Sequence, residues 1–222
     1  MKLIVWDFDG TLADTRPLIE AGMAHALDTL GLPRSVMGEW LRCVGLPVEE
    51  GIRRTFGPLG LDLETVLPAY RSFGHVDHEH LIRPFPGVPE LLEELRGMGQ
   101  AMGIATSKRR VPLSRQLEGF GWTGYFDPIV TPDEVQAGKP HPESLELILR
   151  QTGLAPADLI MVGDTPFDLE MARHAGVPSV AVGHGFYGEA ELAAFGPRAY
   201  APDTAALRDI LLAYTAAGAE AP

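Results

Sequence analysis

Short, largely apolar runs, each followed at once by a polar residue or a glycine, constrain the fold of this chain more than any other sequence feature. Such runs are typical of strands buried on both faces of a sheet. Helix-like segments at 89–98 and 142–152 separate some of them, and this alternation predicts right-handed crossovers and a parallel sheet. The predicted strands are Leu3–Trp6, Ala101–Ala105, 159–162 and Ser179–Val182, with a weaker candidate at 128–131. We therefore predict an α/β, Rossmann-like three-layer core.

The segment that follows the first strand interrupts this alternation. It carries helical periodicity, with an apolar stripe that includes Ile19, Met23 and Leu27, and it contains no convincing strand. Further helices are expected at 35–44, 47–56 and 63–73. This pattern predicts an all-helical cap inserted into the α/β core.

The predicted division assigns residues 1–13 and 84–222 to the core and residues 14–83 to the cap. The return segment at 83–87 carries prolines at 84 and 86, which stiffen the backbone. Two narrow connections would allow the cap to move as a lid over the core.

Composition excludes several classes of partner. The 222 residues include 18 basic and 30 acidic side chains, for a formal charge of -12. Such a charge repels nucleic acid and anionic membranes, so neither is an expected partner. The N-terminal apolar run is too short for a signal peptide or a membrane helix. The single cysteine, Cys43, permits no disulfide within the chain, which fits a cytoplasmic location.

Polar residues follow the predicted strands at the points where those strands end. In an open parallel sheet these positions share the carboxyl edge, where ligands bind. Asp7, Asp9, Thr106 and Asp164 are therefore expected to converge. The strongest local signal is the pair Asp7 and Asp9, because two carboxylates at one strand end repel each other unless a cation lies between them.

Two further motifs offer groups that could hold a phosphate. The Thr106 hydroxyl and the amide of Ser107 can donate hydrogen bonds to phosphate oxygens. Lys139 lies between Gly138 and Pro140, and the proline restricts the backbone before it. Its ammonium could offset negative charge at the sheet edge. Lys108 could face either the substrate or solvent.

The last motif combines a strand-end carboxylate with a helix start. Asp164 ends a predicted strand, and Thr165 and Pro166 suit the N-cap and first position of the next helix. Asp168 then falls where an acid closes a capping box. It could fill that role and also hydrogen-bond Lys139 or a metal-bound water.

With these four motifs in this order, the chain resembles the haloacid dehalogenase superfamily, specifically its phosphatases with a helical cap. The nearest likeness is to phosphoglycolate phosphatases. The resemblance implies that Asp7 is a nucleophile that forms an aspartyl-phosphate, and that Asp9 is the general acid and then the general base. It also implies a magnesium ion held by the Asp7 carboxylate, the Asp9 carbonyl and the Asp164 carboxylate. The expected substrate is a small phosphate ester, and the expected assembly is a monomer or homodimer.

Substrate choice is expected to depend on the cap. Gly45-Leu46-Pro47 resembles the turn that faces the active site in phosphoglycolate phosphatases. A nearby arginine could bind a substrate carboxylate bidentately. The candidates are Arg42, Arg53, Arg54 and Arg71. His75, His78 and His80 are better explained as a cap surface or a cap–core contact than as a metal site.

Other functions remain open or are disfavoured by particular residues. A sugar-phosphate mutase of the same superfamily would share Asp7 and Asp9. A phosphonate hydrolase would need a cap lysine, and residues 14–82 contain none. A dehalogenase proper would lack Asp9. A phospho-accepting signalling receiver, a binding module rather than an enzyme, would have a different motif order and no helical insertion.

Overall fold

A computed structural model describes residues 2–216, and its core is a six-stranded parallel sheet between two helical layers. The strands are β1 Leu3–Trp6, β2 Ala13–Asp14, β3 Arg83–Pro84, β4 Ala101–Ala105, β5 Ile129–Val130, β6 Leu159–Gly163, β7 Ser179–Val182 and β8 Ala199–Ala201. The order of the main sheet is β5-β4-β1-β6-β7-β8, and a second, two-stranded sheet pairs β2 with β3. The predicted α/β fold with a parallel sheet is confirmed.

Strand β1 shows why the sheet lies between two layers. Its four residues are all buried, because alternate side chains enter opposite cores. Ile4 and Trp6 pack into one apolar cluster, and Leu3 and Val5 pack into another. The core helices that cover the two faces are α5 Val88–Gly97, α6 Arg110–Gly119, α7 Glu143–Thr152, α8 Pro166–His174, α9 Glu189–Ala193 and α10 Thr204–Ala216.

The register of the sheet brings the strand ends together. Leu3 pairs with Ala101 on one side and with Leu159 on the other. Strands β1, β4 and β6 therefore begin and end at about the same level in the sheet. The residues after these strands therefore lie along one edge, as the sequence predicts. Strand β8 was not predicted, because it has only three residues and two of them are only partly buried.

The segment between β2 and β3 is helical and has its own apolar cluster around Met23, Trp40, Ile52, Phe56 and Val66. Its helices are α1 Arg16–Thr29, α2 Met37–Leu41, α3 Val48–Phe56 and α4 Leu63–Arg71, with 3₁₀ turns at Arg34–Val36, Gly57–Leu59 and His75–Leu81. The helix predicted at 35–44 is thus shorter than expected and begins with a 3₁₀ turn.

Strands β2 and β3 pair antiparallel where the chain leaves and re-enters the core, with Ala13 opposite Pro84 and Asp14 opposite Arg83. This ribbon was not predicted, because two residues carry no recognisable strand pattern. The domain boundaries at 13/14 and 83/84 stay a prediction, and residue 1 and residues 217–222 of the predicted core lie outside the described residues. Within residues 2–216, none of the helices has both the length and the apolar character to cross a bilayer.

Candidate active site

Three carboxylates meet at the carboxyl edge of the sheet. Asp7 follows β1, Asp164 follows β6, and Asp168 lies in the first turn of α8. One oxygen from each lies within 4.8 Å of the others, and all three residues are buried. The structure therefore brings together Asp7 and Asp164, which are far apart in the sequence, as the topology predicts.

Lys139 provides the positive charge of this cluster. Its Nζ lies 2.7 Å from Asp7 Oδ1 and 2.5 Å from Asp168 Oδ1. Only 2% of the Lys139 side chain is exposed. The lysine therefore points inward, as its Gly-Lys-Pro setting suggested, and bridges two of the three carboxylates.

Asp168 holds Lys139 in position and also begins a helix. The Thr165 amide and hydroxyl donate to Asp168 Oδ2 at 3.1 and 2.7 Å. The Asp168 amide donates back to the Thr165 hydroxyl, which confirms the predicted capping box. Because Oδ1 accepts from Lys139, both oxygens of Asp168 are already engaged. Asp168 is therefore engaged both by the Lys139 ammonium and by the start of α8.

Asp164 lies in a cradle that sequence reasoning did not find in full. Its Oδ1 accepts a hydrogen bond from the Thr11 hydroxyl at 2.9 Å, and its Oδ2 accepts one from the Phe186 amide at 2.8 Å. A Cβ on Gly10 or Gly185 would lie 2.3 or 2.2 Å from Asp164 Oδ2. Glycine is therefore required at both positions if the carboxylate is to keep this place. The only sequence signal for the second contact was the pair of glycines at 183 and 185.

Burial dominates the electrostatics of the site. It raises the pKa of the Asp7 carboxyl to about 7, although Lys139 pulls the pKa down. Burial also raises the pKa of Asp164 well above its usual value, and the charges of Asp168 and Asp7 raise it further. Burial alone would lower the pKa of Lys139, but Asp168 and Asp7 outweigh it and raise that pKa.

A divalent cation fits this arrangement. Three carboxylates and one ammonium leave a net charge of -2 when all are ionised, and buried charge of this kind needs compensation. The donors are oxygens, which magnesium prefers. The Asp7 and Asp164 carboxylates would hold the ion. The surplus negative charge of the cluster is the observation that supports a bound cation.

Asp9 and Lys108 form a second ion pair at the same edge. Lys108 Nζ lies 2.8 Å from Asp9 Oδ1, and only 13% and 17% of the two side chains is exposed. The open question about Lys108 is therefore resolved in favour of the site. Thr106 is buried nearby, and its hydroxyl accepts a hydrogen bond from the Lys108 amide at 3.2 Å.

The Ser107 hydroxyl makes a contact for which no prediction was made. It donates to the Gly45 carbonyl of the cap at 2.6 Å and so links the cap to the core. The role predicted for the Ser107 amide stays a prediction. This contact could not be read from the sequence, because Ser107 and Gly45 belong to different parts of the fold.

The cap turn at 45–47 packs closely on the core. A Cβ on Gly45, whose φ is +103°, would lie 2.8 Å from Thr165 Oγ1. A Cβ on Gly138 would lie 2.7 Å from Pro47 Cγ. The Tyr187 hydroxyl also donates to the Arg42 carbonyl. Together these contacts hold the cap against the carboxyl edge.

A cavity of about 310 Å³ lies between the cap and this edge. Asp7, Asp9 and Thr106 line the core side. Of the four cap arginines proposed from the sequence, only Arg71 lines the cavity, and it is paired with Glu49 at 3.2 Å. The other three form ion pairs outside the cavity lining; these are Arg42 with Glu191, and Arg53 and Arg54 with Glu50.

The three cap histidines also differ in whether they line the cavity. His75 lines the cavity, whereas His78 and His80 do not. Burial lowers the pKa of His75 to about 4, with a smaller contribution from Lys108. Its ring lies 4.5 Å from that of Tyr70 and 5.3 Å from that of Phe73. His75 is therefore a neutral residue of the cavity wall at neutral pH that packs on other cap side chains; the expected cap–core contact of the histidines stays a prediction.

Comparison with known proteins agrees with this geometry. The chain is 32% identical over 200 residues to pyrophosphatase PpaX of Halalkalibacterium halodurans, covering 89% of this chain and 90% of that one. A structure from Bacteroides fragilis, described as a haloacid dehalogenase-like hydrolase, superposes with a TM-score of 0.85 at 24% identity and covers 93% and 99% of the two chains. A structure from Haemophilus somnus, described as a predicted phosphoglycolate phosphatase, has a TM-score of 0.83 at 25% identity and covers 95% and 98%.

The family assignment rests on most of the chain. The model of the haloacid dehalogenase-like hydrolases matches residues 4–182. This range contains every site residue predicted from the sequence, from Asp7 to Asp168. The chain belongs to the haloacid dehalogenase-like hydrolase family.

Proposed function

We propose that this chain is a magnesium-dependent phosphatase that hydrolyses a small organic phosphomonoester through an aspartyl-phosphate on Asp7. The observation that carries the proposal is the buried cluster at the sheet edge. There Asp7 contacts Lys139, lies beside Asp164 and lines a cavity that also exposes Asp9. A nucleophile and a candidate general acid thus face one cavity, and a fixed cation contacts the nucleophile.

The proposed reaction has two displacements at phosphorus. An Asp7 carboxylate oxygen attacks the phosphorus atom, and the bond between phosphorus and the ester oxygen breaks. The departing oxygen takes a proton from Asp9. Asp9 then accepts a proton from a water molecule that attacks the same phosphorus atom, which releases inorganic phosphate and restores Asp7.

Other side chains of the site would stabilise the charge that develops. Lys139 offsets the charge on Asp7 and on the phosphate oxygens, and its position is held by Asp168. The Thr106 hydroxyl and the Ser107 amide would donate to phosphate oxygens. A bound magnesium ion would neutralise the remaining negative charge of the carboxylates and the phosphate.

Lys108 is proposed to position Asp9. They lie 2.8 Å apart, and both line the cavity. Asp9 must also meet the leaving oxygen, so the contact with Lys108 would be shared or exchanged during the reaction. Lys108 therefore joins the proposed site as a positioning residue.

The relatives name two candidate substrates. The Halalkalibacterium protein is called a pyrophosphatase, and the Haemophilus structure is described as a phosphoglycolate phosphatase. We carry both to this chain as candidates within the class of small phosphates. The high acidic charge supports an enzyme with no nucleic-acid or membrane partner, and the single cysteine supports a cytoplasmic location. The proposed assembly is a monomer or homodimer.

A continuous assay of phosphate release from a panel of phosphomonoesters and pyrophosphate, with magnesium, tests the proposal. We expect many equivalents of phosphate per protein, and excess chelator should stop the release. Release that ends after one equivalent would indicate a phospho-accepting receiver. Transfer of the phosphoryl group to a second sugar hydroxyl without free phosphate would indicate a mutase.

A further inference from the structure

The cap side of the cavity is largely apolar. Its wall is formed by side chains of α1, α2, α3 and α4, of the turn after α2 and of the 3₁₀ turn at His75–Leu81, and most of its apolar members are buried. These apolar members are Leu18, Ile19, Trp40, Val44, Leu46, Pro47, Val48 and Tyr70. An apolar surface of this kind stabilises a ligand in proportion to the apolar area that both remove from water.

The cations that line the same cavity are already paired. Arg71 and Arg109 both lie near Glu49 Oε1, at 3.2 and 3.5 Å. Arg115 lies 3.3 Å from Glu79. Lys108 is paired with Asp9. Within residues 2–216, every lysine and arginine of this lining therefore has a carboxylate within 4.0 Å. A second anionic group of a substrate would have to share these cations with the carboxylates that they already contact.

The remaining titratable groups of the wall carry no charge at neutral pH. Burial lowers the pKa of His75 to about 4 and raises the pKa of Tyr70 far above its usual value. Burial also raises the pKa of the Cys43 thiol, which accepts a hydrogen bond from Thr55. The wall therefore offers neutral and apolar contacts to whatever extends from the phosphate.

Resting on the proposed function, we propose that the preferred substrate is the monoester of an apolar, uncharged alcohol, with its leaving group packed against Leu18, Ile19, Trp40, Val44 and Tyr70. The cavity of about 310 Å³ is at the lower end of small-ligand pockets, which run from roughly 300 to 1,000 Å³. A second phosphate or carboxylate in this wall would lose water without gaining a free cation. Pyrophosphate and phosphoglycolate are accordingly expected to be poorer substrates.

Rates on benzyl phosphate, glycerol 3-phosphate, phosphoglycolate and pyrophosphate test this inference. Benzyl phosphate and glycerol 3-phosphate are both esters of primary alcohols and differ mainly in the polarity of the leaving group. We expect kcat/KM for benzyl phosphate to exceed that of each other compound by at least ~10-fold, the scale of a methylene or two in an apolar pocket.

The outcomes separate the two proposals. Turnover that is fastest on phosphoglycolate, pyrophosphate or glycerol 3-phosphate would overturn the apolar preference and leave the phosphatase assignment intact. Absence of phosphate release from all four compounds in the presence of magnesium would overturn both proposals.

A matched pair of valine variants locates the preference. Val44→Thr places a hydroxyl in the cavity wall at nearly constant volume, whereas Val76→Thr makes the same change at a cap valine that is 53% exposed. We expect Val44→Thr to lower the ratio of benzyl to glycerol phosphate rates by about 3- to 10-fold, and Val76→Thr to leave it unchanged. Both rates are measured on one sample, so the ratio is independent of the folded fraction. An unchanged ratio in Val44→Thr would contradict the assigned wall.

Discussion

The two sides of the cavity handle charge in opposite ways. On the core side, three buried carboxylates lie together with one lysine that contacts two of them, and burial raises the pKa values of Asp7 and Asp164. On the cap side, every arginine of the described lining contacts a carboxylate, with Arg71 and Arg109 sharing Glu49, and His75 is neutral. Unbalanced charge therefore marks where a cation and a phosphate would bind, and balanced charge marks where the rest of the substrate would lie.

The strongest test of the core side is Asp7→Asn. We expect the phosphate-release rate to fall by at least ~10⁴-fold, the scale seen when a nucleophile is removed, while the fold is retained because the two side chains have similar shape. The control is Asp209→Asn, whose side chain is 79% exposed. Substantial activity in Asp7→Asn would show that Asp7 is not the nucleophile.

The next largest effect is expected for Lys139→Ala. Loss of a fixed cation aimed at the transition state costs about 10²- to 10³-fold in kcat, and Asp7 and Asp168 would lose their shared partner. Lys2→Ala is the matched control, because Lys2 contacts Tyr214 rather than the site. Activity and melting temperature should be measured together. A near-wild-type kcat would show that the lysine only balances buried charge.

Gly185→Ala tests the cradle around Asp164 without changing a charged residue. The added Cβ would lie 2.2 Å from Asp164 Oδ2, so the carboxylate must move. We expect magnesium affinity to fall by about 10- to 100-fold, as when the support of a metal ligand is lost. The readout is the magnesium midpoint of thermal stabilisation, with Gly119→Ala as control because a Cβ there meets no atom within 4 Å. Equal midpoints would refute Asp164 as a ligand.

The raised pKa of Asp7 predicts that magnesium binding depends on pH. In the metal-free fold this carboxyl keeps its proton up to about pH 7, against about 3.9 in an unfolded chain. Its contribution to stability is therefore present at low pH and is lost as pH rises through about 7.

Below that pH, magnesium must displace the proton, so its affinity should fall by about tenfold per pH unit. Thermal shifts with and without magnesium at about pH 6 and about pH 8 measure this difference, and Asp7→Asn should reduce it. Identical magnesium shifts at both pH values would show that Asp7 is ionised throughout.

The smallest effect is expected on the cap side, for Ser107→Ala. Its hydroxyl donates to the Gly45 carbonyl at 2.6 Å, and one such bond contributes about 0.5–1.5 kcal/mol. We expect KM to rise by up to ~10-fold through a less populated closed cap, with little change in kcat. Ser35→Ala, at an exposed cap serine, is the control. A fall in kcat with unchanged KM would place Ser107 on the catalytic side instead.

The core side of the site could be predicted from the sequence because strand ends are local features. Asp7 and Asp164 follow apolar runs, and in a parallel sheet such ends share one edge. The capping role of Asp168 could be predicted in the same way, from its spacing after Thr165.

The cap side could not be predicted, because it depends on which side chains meet across distant segments. The partner of Arg71 is Glu49, 22 residues away, and neither periodicity nor spacing indicates that pairing. The Phe186 amide that supports Asp164 lies in a loop, where tertiary packing alone sets the direction of a backbone group.

The ribbon of β2 and β3 has a further consequence for how such a chain can diversify. Because Ala13 lies opposite Pro84, the whole helical segment leaves and rejoins the sheet domain at neighbouring points. Closely spaced ends are the condition under which an insertion can be exchanged without disturbing its host. A different insert at this junction would face the same three carboxylates. The preference for a leaving group could therefore change with the insert, while the residues proposed to break the bond to phosphorus stay the same.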